Sequence, residues 1–315
     1  MSTISERQNK PANLEKLAAQ RTLYSQAKVW QGISIIISMP LMVVITLLAL
    51  FFNSQSQAQN WGFAQTNLEW LVVLTSFLVL LANDLVLMPI VDNKKELASR
   101  IQESFDCDVL GLPWNYIVGE VPEPAVIRRY SKKLLQNLKQ KKGLQNWYAE
   151  QVNKVPEEAG KIICQLSNVS WDKSLRERYQ KGILSFGIII IMMLIFTKIY
   201  TNINFPEWII YILAPSFPVF STLIQHWRMQ QVSIETLKRM HEKANSEWKN
   251  YLETQNKFRT NARQIQDEIY KHRRTNMPIF NCLYYWNWNR QEEEQSYTAE
   301  YYINEYEKVF NKVGS

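Results

Sequence analysis

Apolar residues in this 315-residue chain collect in four blocks: Ile33 to Phe52, Trp70 to Val91, Gly182 to Thr197 extended by Ile199 and Tyr200, and Trp208 to Gln225. Each is 18 to 22 residues long. A bilayer core is crossed by about 20 apolar residues of helix, so all four are predicted spans. The competing reading, four buried helices of a soluble core, makes no demand on where charge falls between the blocks.

The basic residues therefore decide between the two. Five precede the first block, sixteen lie between the second and third (Lys94 to Lys181), and fourteen follow the fourth (Arg228 to Lys312). The segment between the first two blocks has none, and the turn between the last two has only Lys198. Thirty-five of 36 Lys and Arg share one side of a four-span arrangement, which predicts a multi-pass protein with both termini cytoplasmic. About 30 polar residues precede the first block, unlike a signal peptide. Cys107, Cys164 and Cys282 all fall on the inner side and are expected to be reduced thiols.

The predicted fold is an all-α membrane protein with four transmembrane helices as two hairpins and a mainly helical cytosolic domain. Its segments are a cytosolic N-terminus (1–30), a first hairpin (31–91), a cytosolic insert (92–181), a second hairpin (182–227) and a C-terminal long-helix region (228–315). Within the insert, Glu123 to Lys142 has apolar positions at three-to-four spacing among many Arg and Lys, a basic amphipathic helix. It is either the solvated face of a packed helix or a dock for anionic lipid. From Arg228 to Asn276 no Gly or Pro interrupts the chain. That stretch is one long helix, able to pass a movement of the inner domain into the membrane, or it folds back near Gln255.

Inside the spans the polar residues are few. Asp84 sits about 12 Å inside the cytoplasmic end of the second span, where a lipid-facing carboxylate costs ~2–3 kcal/mol. Ser76 and Asn83, seven residues apart, lie nearly in line, with Asp84 a step round the helix. Pro215 and Pro218 in the fourth span free backbone groups and mark a kink, either a hinge or a static aid to packing. No Lys or Arg lies deep enough to pair with Asp84. Asn83 and Asp84 therefore line or gate a polar path between protomers, or Asp84 is neutral and bonded to a neighbouring helix. The third span has almost no polar atoms between Ser185 and Thr197 and is expected to face lipid.

No P-loop, GxGxxG, GxSxG or HExxH is present, and the three histidines are not spaced with the cysteines as metal ligands. The expectation is a protein that is not an enzyme and needs no cofactor.

Three strings carry a resemblance: LAAQRTLYSQAK (17–28), FDCDVLGLPWN (105–115) and CQLSNVSWDKSLRERY (164–179). Through them the chain, from about residue 6 to residue 300, resembles the SMODS-associated four-transmembrane effector family. The resemblance implies a bacterial anti-phage role of the CBASS, abortive-infection type. In that role a pore-forming protein encoded beside a nucleotide-signal synthase damages the inner membrane. It also implies a cyclic nucleotide ligand made by that synthase.

Such a ligand needs cations for phosphate and flat side chains for bases. The densest cluster is HRRTNMPIFNCLYYWNWNR (272–290), with Arg273, Arg274 and Arg290 around Tyr284, Tyr285, Trp286 and Trp288. Trp114, Asn115, Asn168 and Trp171 form a second candidate set. Packing, turn formation or a place at the membrane interface competes with both assignments. The inner side carries 35 basic against 26 acidic residues, which suits lipid headgroups or an anionic ligand. No nucleic-acid-binding motif accompanies that charge, so direct nucleic-acid binding is not expected.

Three function classes follow. The favoured one is a signal-gated homo-oligomeric effector that permeabilises the bacterial inner membrane, since one four-helix bundle fills its own core. The alternatives are a membrane scaffold triggered by a partner protein and an ion or proton transporter using Asp84, against which the lack of an evident inverted repeat counts.

Overall fold

The computed structural model describes residues 2–53, 69–200, 204–254, 261–280 and 288–310, and among these no strand occurs. In chain order the helices are α1 (Ile4–Gln8), α2 (Pro11–Ile36), α3 (Met42–Asn53), α4 (Glu69–Ala82), α5 (Met88–Leu110), α6 (Pro124–Leu135), α7 (Leu138–Lys142), α8 (Glu157–Tyr200), α9 (Phe205–Trp208), α10 (Ala214–Glu253), α11 (Ala262–Thr275) and α12 (Trp288–Phe310). The chain divides into two compact units. One comprises Lys28–Asp92 and Tyr179–Gln230; the other comprises Met1–Ala27, Asn93–Arg178 and Gln231–Ser315.

The first unit is the membrane unit. Among the described residues three helical stretches are long and apolar enough to cross a bilayer: Pro11–Ile45, Trp70–Leu110 and Glu157–Tyr200. Their apolar windows are only 6–17% buried. Ile188, Met192, Met193 and Phe196 all stand exposed on α8. Water would not tolerate so much apolar surface on a monomer, whereas lipid solvates it. The fourth predicted span is helical as well, through α9 and the start of α10. Its prolines, serines and glutamine make it less apolar, and it is not among those three.

Proline also explains where these helices widen. Ile37–Leu41, Asn83–Leu87 and Ile209–Leu213 are single π-helical turns. The first contains Pro40, and the other two run into Pro89 and Pro215, each the second residue of the helix that follows. A proline ring clashes with the carbonyl four residues back and cannot bond it, and a wider turn relieves both faults. Between Lys181 and Tyr200 α8 has no proline and stays regular. Span hydroxyls turn back on their own helices: Thr75 and Ser76 donate to the Leu71 and Val72 carbonyls at 2.7 Å each.

The second unit has the larger core, with Leu17, Phe105, Tyr148, Ile163, Leu166, Leu237 and Trp248 essentially excluded from solvent. Trp248 donates its indole N–H to Glu305 Oε2 at 2.8 Å and meets Tyr302 edge-on, tying α10 to α12. Gly111, at φ +63°, ends α5 in the left-handed conformation glycine favours, and the Leu112 N–H returns to the Cys107 carbonyl at 3.0 Å.

One helical expectation requires correction, and of the two readings of 228–276 the break near Gln255 is the one that agrees with the structure. The Glu123 to Lys142 segment is broken into α6 and α7 because Asn137 Oδ1 caps the N–H groups of Lys139 and Gln140, starting a new helix. The stretch 228–276 is not one helix: α10 ends at Glu253 and α11 begins at Ala262. On α6, Ile127 and Ser131 are buried and Arg128, Arg129, Lys132 and Lys133 are exposed.

Candidate functional site

In the second unit a cavity of about 470 Å³ opens between the loop at 143–149, one face of α8, the C-terminal end of α11, Tyr24 on α2 and Gln102 on α5. Helical spacing builds the α8 wall. Asn168, Trp171, Asp172 and Arg176 stand at steps of three, one and four, which places them on one face. Arg273 and Asn276 repeat the step of three on the opposite wall.

The loop wall is fastened by the N-terminus. Gln8 and Tyr148 exchange two bonds: Gln8 Nε2 donates to the Tyr148 carbonyl at 3.1 Å, and the Tyr148 N–H donates to Gln8 Oε1 at 2.7 Å. Asn9 and Asn146 also exchange two bonds: Asn9 Nδ2 donates to Asn146 Oδ1 at 2.7 Å, and the Asn146 N–H donates to Asn9 Oδ1 at 3.1 Å. That second pair holds Asn146 at φ 55°, a strained conformation for a residue other than glycine. Trp147, between the two fastened residues, lines the cavity.

Behind the cavity lies a buried polar network centred on Asp106, which is fully excluded from solvent. Its carboxylate accepts from the Tyr148 hydroxyl at 2.7 Å, from Gln266 Nε2 at 2.9 Å and from an Arg273 guanidinium N–H at 2.5 Å. Asn168 Nδ2 donates to the Tyr148 hydroxyl at 3.0 Å, so Asn168 and Arg273 reach the same carboxylate from two walls. Burial opposes the charge on Arg273, but Asp106 beside it more than compensates and keeps the guanidinium protonated. Burial pushes the Tyr148 hydroxyl well above its usual range, so it stays a neutral donor.

A second chain runs along the rim. Arg176 Nε donates to Asp172 Oδ1 at 3.0 Å, and His272 Nε2 lies 2.9 Å from Asp172 Oδ2. The Asn276 amide nitrogen faces His272 Nδ1 at 2.6 Å, and the Ser233 hydroxyl donates to Asn276 Oδ1 at 2.6 Å. The network assigns the histidine proton to Nε2, from which it donates to Asp172. Burial works against the Asp172 charge, but Arg176 and His272 outweigh it and hold the carboxyl well below the usual carboxylate range.

Of the residues singled out from sequence, Arg273, Asn168 and Trp171 come together at this cavity although they belong to two different candidate sets. Trp114 and Asn115 do not join them. Trp114 donates its indole N–H to the Gly119 carbonyl at 2.9 Å, and Asn115 caps Ile117 at 3.0 Å, so both build a turn. Arg274 is exposed and lies 3.7 Å from Glu96. Tyr284, Tyr285 and Trp286 lie outside the described residues; Trp288 and Arg290 begin α12, their side chains also outside the described set. Trp147, Tyr148, Asp106, Asp172 and Arg176 went unnamed in the sequence reading. The one signal for Asp172 and Arg176 was their helical spacing from Asn168.

The membrane unit has its own cavity, of about 510 Å³. Ser76, Asn83, Pro215 and Pro218 all line it, together with Ser38 and apolar neighbours including Met42 and Leu80. One residue from each of the three π-turns, Ser38, Asn83 and Ile210, is on its wall. Ser34 donates its hydroxyl to Asn83 Oδ1. Asp84 is not on the wall; it is exposed and accepts from Asn83 Nδ2 at 3.1 Å. Among the described residues no three His, Cys, Asp or Glu come together as a metal-ligand set.

The model of the SMODS-associating 4TM effector domain matches residues 2–302. The chain belongs to this family. A relative in Bacillus cereus (strain VD146), named as a probable CBASS effector molecule, is 26% identical over 294 residues, covering 92% of this chain and 94% of the relative. No solved structure matches this chain. As a SMODS-associating 4TM effector, the chain has a four-transmembrane helical fold and a membrane location, and its relatives place it among anti-phage defence effectors.

Proposed function

We propose that this effector sits in the bacterial inner membrane with both termini cytoplasmic and, as a homo-oligomer, permeabilises that membrane when a cyclic nucleotide occupies the cavity of its second unit. It carries out no covalent chemistry. The associated synthase supplies the ligand, and the bilayer is the target. The observation that carries the reading is the convergence of Arg273, Asn168 and Trp171, joined by Trp147 and Arg176, on one cavity. Indole, amide and guanidinium side chains facing a common space supply the stacking planes and hydrogen-bonding groups that nucleotide recognition uses. The second cavity supports a polar element in the permeation path, because Ser76, Asn83 and the two prolines line it and π-turns concentrate at functional places.

The test is release of a trapped dye from liposomes holding the purified protein, titrated with cyclic di- and trinucleotides. Release with one nucleotide, lost in Trp171→Ala, is the expected result. Tight liposomes under every condition, with insertion confirmed, would overturn it in favour of a scaffold triggered by a partner protein. A transporter built on Asp84 would show flux without nucleotide; the position of Asp84 off the cavity wall disfavours it.

A further inference from the structure

Resting on the reading just given, we infer that the cavity selects its ligand by base rather than by phosphate, and that the base it fits is adenine. Among the described residues the wall offers anions little unmatched charge. Its two guanidinium groups are paired, Arg273 with the fully buried Asp106 and Arg176 with Asp172. The Arg273 side chain is 13% exposed, and no lysine is on the wall among the described residues.

What the wall offers instead is amides and rings. Gln102, Gln145, Asn146, Gln151, Asn168 and Asn276 line it, with Trp147, Trp171 and Tyr24 between them. An amide pairs one donor with one acceptor, the pattern adenine presents through N7 or N1 and its 6-amino group. Four of the six amides are held by bonds behind them: Asn276 is engaged at both ends, by His272 and Ser233, and Asn146 accepts from Asn9 through Oδ1, which leaves its NH2 for a ligand. Gln102 Oε1 accepts from the Tyr24 hydroxyl at 3.3 Å, so its NH2 is the group it has for a ligand. Asn168 commits one N–H to Tyr148, which fixes the amide's orientation and leaves its carbonyl oxygen as the acceptor it has. Among the described residues the wall thus holds oriented donors at Gln102 and Asn146 and an oriented acceptor at Asn168.

Guanine fits this set less completely: an amide can meet its O6 and N1–H, but its N2–H is then left without an acceptor. Its O6 and N7 are both acceptors, best met by an unpaired arginine or lysine. Its N1–H and N2–H call for a carboxylate, and both Asp172 oxygens are already engaged by Arg176 and His272. Uracil matches an amide but gives the two indoles a smaller ring to stack on. Paired charges also mean that salt screens little of the recognition.

The experiment is equilibrium binding to the full chain in nanodiscs, using cyclic di- and tri-adenylate, -guanylate and -uridylate, which at each ring size carry equal charge. The expected result is adenylate binding about tenfold tighter than the others, little changed between low and high salt and lost in Trp171→Leu. Gln102→Ala reduces the adenine preference to within about threefold without abolishing binding; Asn168→Ala is the second variant should that one fail to fold. Comparable binding of all three bases, guanylate preference or steep salt dependence would overturn the inference and leave the cavity as the trigger site. Absence of binding by every cyclic nucleotide, or binding untouched by Trp171→Leu, would overturn the trigger site too.

Discussion

Asp106 accepts hydrogen bonds from Tyr148, Gln266 and Arg273 in a space with no access to water. Removing it strands a guanidinium and two donors, and breaking such a buried pair costs about 3–5 kcal/mol. Asp106→Ala is therefore expected to unfold at much lower temperature or denaturant than the parent, followed by helical circular dichroism, whereas Trp171→Ala on the half-buried rim is not. Asp172 gives a pH signature. Its folded-state carboxyl titrates below its unfolded value of 3.8, so the stability it adds is complete above that value and lost as pH falls through and below it. The gap in stability between parent and Asp172→Asn should be widest near neutral pH and close below about pH 4. Burial pushes the Cys107 thiol up to about 12 and raises that of Cys164 as well, burial being the largest cause in both. Neither should react with maleimide in the folded protein at neutral pH, and both should once it is denatured, read by peptide mass spectrometry.

How much of this the chain discloses depends on the distance between partners. Asn168, Trp171 and Arg273 are legible as aromatic, amide and cationic residues in dense local strings. Tyr148 and Asp106 are 42 residues apart, and nothing in either neighbourhood points to the other. At the scale of elements the same division holds. Pro215 and Pro218 are visible as a disturbance in the fourth span, and the structure confines that disturbance to one π-turn ahead of Pro215. The turns at Ile37–Leu41 and Asn83–Leu87 were not foreseen, although Pro40 and Pro89 were the available signals. The break at Asn137 was hidden because the apolar spacing continues through it, while a cap is a single side chain's choice. Replacing the prolines tests what the widened turn is for. In Pro215→Ala with Pro218→Ala the backbone N–H groups return and the span can regularise. Nucleotide binding should be unchanged and dye release should fall at least severalfold; release equal to the parent would make the turn a packing feature only.

At the scale of the whole molecule, the four apolar blocks were legible, because hydropathy acts on the chain as a sum and needs no knowledge of contacts. Assembly is legible in neither sequence nor monomer, and Asp84 is where it becomes testable. Its carboxylate is exposed on the membrane unit, bonded to Asn83 beside it and off the wall of the 510 Å³ cavity. A charged side chain facing lipid at that depth costs about 2–3 kcal/mol, and within one copy the surrounding surface is apolar Leu81, Leu85 and Val86. The cost is avoided if neighbouring copies enclose the carboxylate in a shared water-filled path, in which case Asp84 is tolerated because the working form is an oligomer. Asp84→Leu should then leave expression, insertion and nucleotide binding intact, since none of them requires the path, and abolish dye release. If Asp84→Leu cross-links into the same oligomers as the parent and releases dye equally well, the carboxylate does not line the path, and Ser76 and Asn83 on the second cavity become the residues to test next.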